Sequence, residues 1–252
     1  MMLFTGKKKN RTLRALAAAA FWILVWEAAA LAVGEELILP TPQSVLRTLV
    51  SLCGTGDFWV SAAMSLARIL SGYAAGVAAG TLLAVLTSRF SLADALISPV
   101  MRVVRATPVA SFIILALLWL GKGKVPGFSA SLMVVPIVWG AVTSAVRETD
   151  RGLLEMADSY RFGPWRTLKL IYVPSVYPSW LAACVTSMGL AWKAGVAAEV
   201  LCQPKTAIGS ELYFSKIYLE TPSLFAWTAV VILLSFLLEG LFRRLVRGRE
   251  KP

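Results

Sequence analysis

The chain has 252 residues, 58% hydrophobic and 15% charged, with a formal net charge of +11, no histidine and three cysteines. An ordinary soluble domain is nearer half apolar and a quarter charged, a disordered chain falls far below the mean hydropathy of +0.71 found here, and a small disulfide-stapled secreted fold needs more cysteine. An integral membrane protein remains, in which basic residues flank the apolar segments and set their orientation, so the positive charge requires no nucleic acid partner.

A helix rising 1.5 Å per residue needs about 20 apolar residues to cross roughly 30 Å of hydrocarbon, and six stretches approximate that length: 13–33, 61–86, 107–120, 127–146, 179–201 and 224–241. The first follows a basic leader of Lys7, Lys8, Lys9, Arg11 and Arg14. A cleaved signal peptide is its rival reading, because Ala30 to Ala32 resemble a cleavage site, but the run is long for that purpose and five more follow. After it, Leu39-Pro40-Thr41-Pro42 leads into Ser44 to Leu52, where Val45, Leu46, Leu49 and Val50 recur at helical spacing and predict a short surface helix. In span two Gly72, Gly76 and Gly80, with Ala75 and Ala79, strip one helix face to backbone, for close packing within the subunit or for a subunit or gate contact. Span three is short.

Most of the 25 basic residues fall in the leader, at Arg89, Arg102 and Arg105, between Arg147 and Lys169, and between Arg243 and Lys251. The positive-inside rule therefore places both termini in the cytoplasm, with Lys122 and Lys124 as local exceptions. The longest cytoplasmic connection, 147–178, mixes Leu153, Leu154, Met156, Tyr160, Trp165 and Leu170 with acidic and basic residues around Gly163-Pro164. It reads as two short amphipathic helices in a hairpin, which could lie on lipid, pack on its own spans or dock into another protein.

Within this segment Glu155, Ala157, Ile171 and Pro174 fall at the offsets of the EAA motif, a glutamate-alanine-alanine start followed by glycine and an Ile-x-x-Pro finish. Together with Leu39-Pro40-Thr41-Pro42, the run Ser65 to Gly72, and Gly189-Leu190-Ala191-Trp192-Lys193 continuing to Ala198-Glu199-Val200-Leu201, it carries a resemblance over nearly the full length. The chain resembles the membrane subunit of a type I, binding-protein-dependent ABC importer of the nitrate, sulfonate, taurine and bicarbonate group. Met156 replaces the second alanine, and Arg161 stands where the motif expects glycine, with Gly163 two residues later; a shifted or reshaped turn is the expectation.

The resemblance implies an all-α integral membrane fold, a single transmembrane domain over 1–252. It has six transmembrane helices and a cytoplasmic coupling-helix hairpin before span five, between helices five and six in the family's sense. It assigns ATPase coupling to Leu154, Glu155, Met156, Ala157, Tyr160, Arg161, Gly163, Ile171 and Pro174. It also implies two ATP-binding subunits that carry ATP and Mg, a second permease subunit in a homodimer, an extracytoplasmic substrate-binding protein, and residence in the lipid of a bacterial inner membrane. The solute would be a small anion. No G-x-x-x-x-G-K-[ST] phosphate loop is present, the string Gly121 to Gly127 has the wrong spacing, and no cluster has metal-ligand spacing, so the chain by itself reads as no enzyme and as holding no cofactor.

Ionisable groups inside spans usually face a cavity or a partner. Glu27 and Lys193 each lie about 21 Å from the inner end of their spans. They read as an ion pair, either side chain snorkels towards the outer surface, or Lys193 offers positive charge to an anionic substrate. Glu199 stands nearer the outer boundary, in a gate, a binding-protein contact or simple solvation. Pro108 and Pro136 mark either irregular helix along a cavity or tolerated kinks, and Trp192 fits a pathway wall or a lipid-facing belt. Nothing in the spacing supports a bridge between Cys53 and Cys202. The competing function is an ion-coupled secondary transporter with Glu27 and Lys193 as its polar centre, but the six stretches carry no inverted repeat.

Overall fold

Every regular element is helical among residues 5–247, which the computed structural model describes, with side chains for Arg14 and for 16–244. The basic side chains of Lys7, Lys8, Lys9, Arg11, Arg247, Arg249 and Lys251, on which part of the sidedness expectation rests, lie outside that description. In chain order the helices are α1 (Thr5–Val33), α2 (Pro42–Cys53), α3 (Gly56–Arg89), α4 (Ser91–Ala106), α5 (Val109–Trp119), α6 (Val125–Arg147), α7 (Arg151–Ser159), α8 (Pro164–Thr167), α9 (Val173–Cys202), α10 (Ile208–Ile217) and α11 (Thr221–Arg247). Among the described residues, five stretches are long and apolar enough to cross a membrane: Leu16–Val33, Gly56–Arg89, Val125–Arg147, Pro164–Cys202 and Thr221–Arg244. A sixth exists only if α4 and α5 together count as one broken span.

Two expectations are corrected here. The third span at 107–120 is helix α5 alone, at 11 residues about 16 Å long and so only half the hydrocarbon thickness. It joins α4 at an angle of 109°, because the residue before a proline is driven out of helical geometry and Thr107, extended ahead of Pro108, ends α4 there. The second short helix of the hairpin does not stand apart from the span at 179–201. Residues 164–202 form one continuous 39-residue helix through α8, a widened π turn at Leu168–Tyr172 and α9. Pro174 has no N–H to donate to the Leu170 carbonyl, and its ring crowds that carbonyl; the wide turn just before it takes up the mismatch, and the Ser175 hydroxyl donates to the Ile171 carbonyl at 2.7 Å. The hairpin's second arm is thus the first part of a spanning helix.

The chain divides into two compact units, one of Met1–Trp59 and Glu211–Val230, the other of Val60–Ser210 and Val231–Pro252. In the first, the Thr41 side chain caps α2 by accepting the Ser44 N–H at 3.2 Å, and Pro42 takes the first turn, where a missing N–H costs nothing. Trp26 Nε1 donates to the Pro40 carbonyl at 3.0 Å and the Thr221 hydroxyl to the Leu37 carbonyl at 2.6 Å, so the Leu-Pro-Thr-Pro turn is tied to α1 and to the start of α11. Phe58 stacks on Trp227 at 5.0 Å between ring centroids.

In the second unit, Gly72, Gly76 and Gly80 face α6. A Cβ at Gly72 would stand 2.0 Å from the Gly127 carbonyl oxygen, one at Gly76 2.8 Å from Val134 Cβ, and one at Gly80 2.8 Å from the Val135 carbonyl oxygen. The glycine stripe therefore brings two helix backbones together within one chain. Helix α6 also packs along α9, and Gly195 makes room for Ile69, whose Cγ1 lies 2.5 Å from where a Cβ would be. Helix α4 is held to α6 at both ends: Arg147 donates to Asp94 at 3.0 Å, while Arg105 lies over the Trp139 ring and donates to the Pro136 carbonyl in space left by Gly140.

Candidate functional site

The loop that carries the EAA-like residues is built on a well-formed helix end. Asp150 caps α7 by accepting the Gly152 N–H at 2.8 Å. At its other end the Phe162 N–H donates to the Ala157 carbonyl and the Arg161 N–H to the Asp158 carbonyl, each at 2.8 Å, which is the paired bonding of a Schellman motif. That motif needs a left-handed residue just past the helix. Arg161 supplies it at φ 51°, whereas Gly163 has φ −68° and merely precedes α8. Of the two expectations, a shifted or a reshaped turn, the shift is not seen: the left-handed residue stands at the position where the motif expects glycine, and arginine carries a conformation that glycine adopts without strain. Arg161→Gly is expected to raise the stability of the purified chain by about 1 kcal/mol, read by thermal denaturation, and to leave ATPase binding intact.

Around this turn the side chains divide sharply. Ala157 and Ile171 are buried and Leu154 half-buried, so these three anchor the loop to its own chain. Leu153, Glu155, Met156 and Pro174 are exposed, and Tyr160 and Trp165 are 74% and 73% exposed. A large apolar surface thus stands free on both sides of four non-helical residues, Tyr160 to Gly163. Only those residues separate α7 from the long helix beginning at Pro164.

The second polar centre lies at the far end of α9. Glu199 is 0% exposed. Its Oε2 accepts from the Ser65 hydroxyl at 2.8 Å and from the Gly209 N–H at 3.1 Å, and Ser65 Oγ in turn accepts the Ile208 N–H at 2.9 Å. Arg68 stands 3.7 Å from Glu199 Oε1 and donates to the carbonyls of Lys205 and Thr206, both at 2.9 Å. Glu199 is therefore neither solvated nor open to a binding protein, a correction to the expectation for it. It fastens the 203–209 loop to α3 and α9, and a Cβ at Gly209 would come within 2.4 Å of Glu199 Cβ. The loop is strained, with Gln203 and Thr206 at φ 49° and 48°, and Arg68 holds the carbonyl of Thr206 itself.

The remaining expected pathway residues scatter. Trp192 is buried and donates to the Val231 carbonyl at 3.1 Å, so it is interior packing rather than a pathway wall or a lipid belt. Pro136 is buried within α6, and Pro108 is exposed at the α4–α5 elbow. Lys193 is exposed and Glu27 half-buried, and neither makes an ion pair within its own unit among the described residues. An open groove of about 830 Å³ in the second unit is lined instead by residues that no sequence argument singled out, among them Tyr73, Thr81, Tyr177, Trp180 and Phe242. Within it Tyr73 donates to the Cys184 carbonyl and Trp180 to the Thr81 hydroxyl, both at 2.9 Å. Tyr177, Trp180 and Cys184 recur at i, i+3 and i+7, a legible signal once 164–202 is treated as one helix. All three cysteines are free.

Residues 76–251 match the family model of the binding-protein-dependent transport system inner membrane component. The taurine transport system permease protein of Escherichia coli (strain K12) is 25% identical over 88% of this chain and 82% of its own length. The putative aliphatic sulfonates transport permease protein of Bacillus subtilis (strain 168) is 22% identical over 96% of this chain and 88% of its own. The fold superposes with a TM-score of 0.60 on the crystal structure of an amino acid ABC transporter with histidines, at 16% identity over 74% of this chain and 89% of that one.

Proposed function

Because the chain belongs to the family of binding-protein-dependent transport system inner membrane components, we propose that it moves a small anionic solute into the cell and is driven through its 147–178 loop. The chain is the permease subunit of an ABC importer; ATP hydrolysis takes place on a separate ATPase subunit. Neither the family nor the fold supports an ion-coupled secondary transporter.

One observation carries the coupling reading: Leu153, Met156, Tyr160 and Trp165 present apolar surface to solvent around a rigid capped turn. In this reading the turn seats in a cleft of the ATPase, with Glu155 beside a basic or backbone donor. Closure of two ATPase subunits, which bind ATP and Mg, moves the seated helix as a rigid body and pulls the helix from Pro164 with it. A second copy of this chain completes the route, a substrate-binding protein delivers the solute, and both termini face the cytoplasm. Co-purification tests this: the tagged chain expressed with its operon neighbours should bring down an ATP-binding subunit, and recovery of the folded chain alone would refute the reading.

The anionic class rests on Lys193, an exposed cation in a spanning helix without an ion-pair partner in its unit among the described residues. The names taurine and aliphatic sulfonates belong to the relatives. Lys193→Met should cut uptake of an organic sulfonate at least tenfold while the ATPase remains bound; unchanged uptake would remove Lys193 from the route.

A further inference from the structure

Helix α4 is built inside out. Its polar side is turned towards α6, where Asp94 accepts from Arg147 at 3.0 Å and from the Ser98 hydroxyl at 2.6 Å, Arg105 reaches the Pro136 carbonyl, and Met101 is buried. Its outward side carries Leu92, Leu96, Val100 and Val103 at i, i+4, i+8 and i+11, and the first two are 71% and 65% exposed. Ala95 and Pro99, between them, are exposed as well. No acidic residue stands on this side. Arg89 at the start of the stripe and Arg102 on its flank are both exposed.

The 109° bend means that α4 and α5 cannot both run along a bilayer normal. Helix α5 carries no charged residue and one polar one, Ser111, among its 11 residues and suits the hydrocarbon, which leaves α4 transverse to it. A transverse amphipathic helix with an apolar outer face and arginines at its rim has the composition of an interfacial helix, whose long basic side chains reach up to lipid phosphates while the apolar row sinks among the acyl chains.

We propose that α4 lies in the plane of the membrane interface, with Leu92, Leu96, Val100 and Val103 in the acyl boundary and Arg89 and Arg102 on the phosphates of anionic lipids. A second copy of this chain is the weaker occupant, since a two-fold contact through this face would set its arginines against a surface with no acidic residue. The proposal does not depend on the transport reading, and its test needs no ATPase.

The experiment uses the full chain with Cys53→Ser, since Cys53 is exposed whereas Cys184 and Cys202 are buried. Spin labels are placed at Leu96→Cys and, as an independent position on the same face, Ala95→Cys. In phosphatidylglycerol vesicles both labels should collide with oxygen in preference to a water-soluble nickel complex, at a depth of about 5–10 Å below the phosphates. They should lie shallower in phosphatidylcholine, and Arg89→Gln with Arg102→Gln should erase the difference between the two lipids. Preferential collision with nickel, spin–spin broadening between two copies, or equal depth in both lipids with the arginines intact would each overturn it.

Discussion

Replacing Leu153 and Met156 together by aspartate is expected to release the ATPase and to lower ATP-driven uptake on the order of 1000-fold, since truncated or charged anchors at an interface centre typically cost about 2 kcal/mol or more each. Both side chains are exposed in the isolated chain, so the fold itself has no reason to change. Co-purification and uptake in the same membranes check this. A double variant that still brings down the ATPase and transports normally would place the docking surface elsewhere.

Removing the buried carboxylate should have the largest effect on stability. Glu199→Ala strands the Gly209 N–H, loosens Ser65 and leaves Arg68, itself only 16% exposed at its side chain, without its counter-charge. Breaking a buried pair by deleting one partner costs about 3–5 kcal/mol, which for a membrane domain should appear as a large fall in midpoint temperature in mild detergent. Glu199→Gln is expected to cost much less, about 1 kcal/mol, because an amide oxygen in the place of Oε2 still accepts from Ser65 and Gly209. Equal effects of the two substitutions, or no effect of either, would show that the network does not fasten the 203–209 loop.

The spans were legible in proportion to how strongly the bilayer dictates them. Long apolar runs such as those inside Gly56–Arg89 and Val125–Arg147 announce themselves because hydrocarbon thickness sets their length. The run at 107–120 lacked that length, and the Thr107-Pro108 break turned it into the elbow of α4 and α5 rather than a span. The opposite error arose at 164–178. The segment reads as the second arm of a hairpin, separate from the span at 179–201, yet the π turn absorbs the Pro174 mismatch, so the helix that starts at Pro164 continues into it.

At the candidate site, the residues of the 147–178 loop stand out in the sequence because they follow one another closely. The geometry of their turn does not, because the left-handed position is fixed by two backbone hydrogen bonds and can be filled by arginine at a modest cost. The burial of Glu199 was not legible because its partner Ser65 lies 134 positions away. Trp192 was misread because the carbonyl that receives its N–H belongs to α11. Long-range polar pairing of this kind leaves no periodic trace in the chain.

The central claim is that this chain is a route driven by another protein's ATP hydrolysis. The direct measurement is uptake of an organic sulfonate into proteoliposomes holding the purified chain and its binding protein, with and without the ATPase and ATP. Uptake only when the ATPase and hydrolysable ATP are both present is the predicted result. Uptake by the chain without any ATP-hydrolysing partner would contradict it.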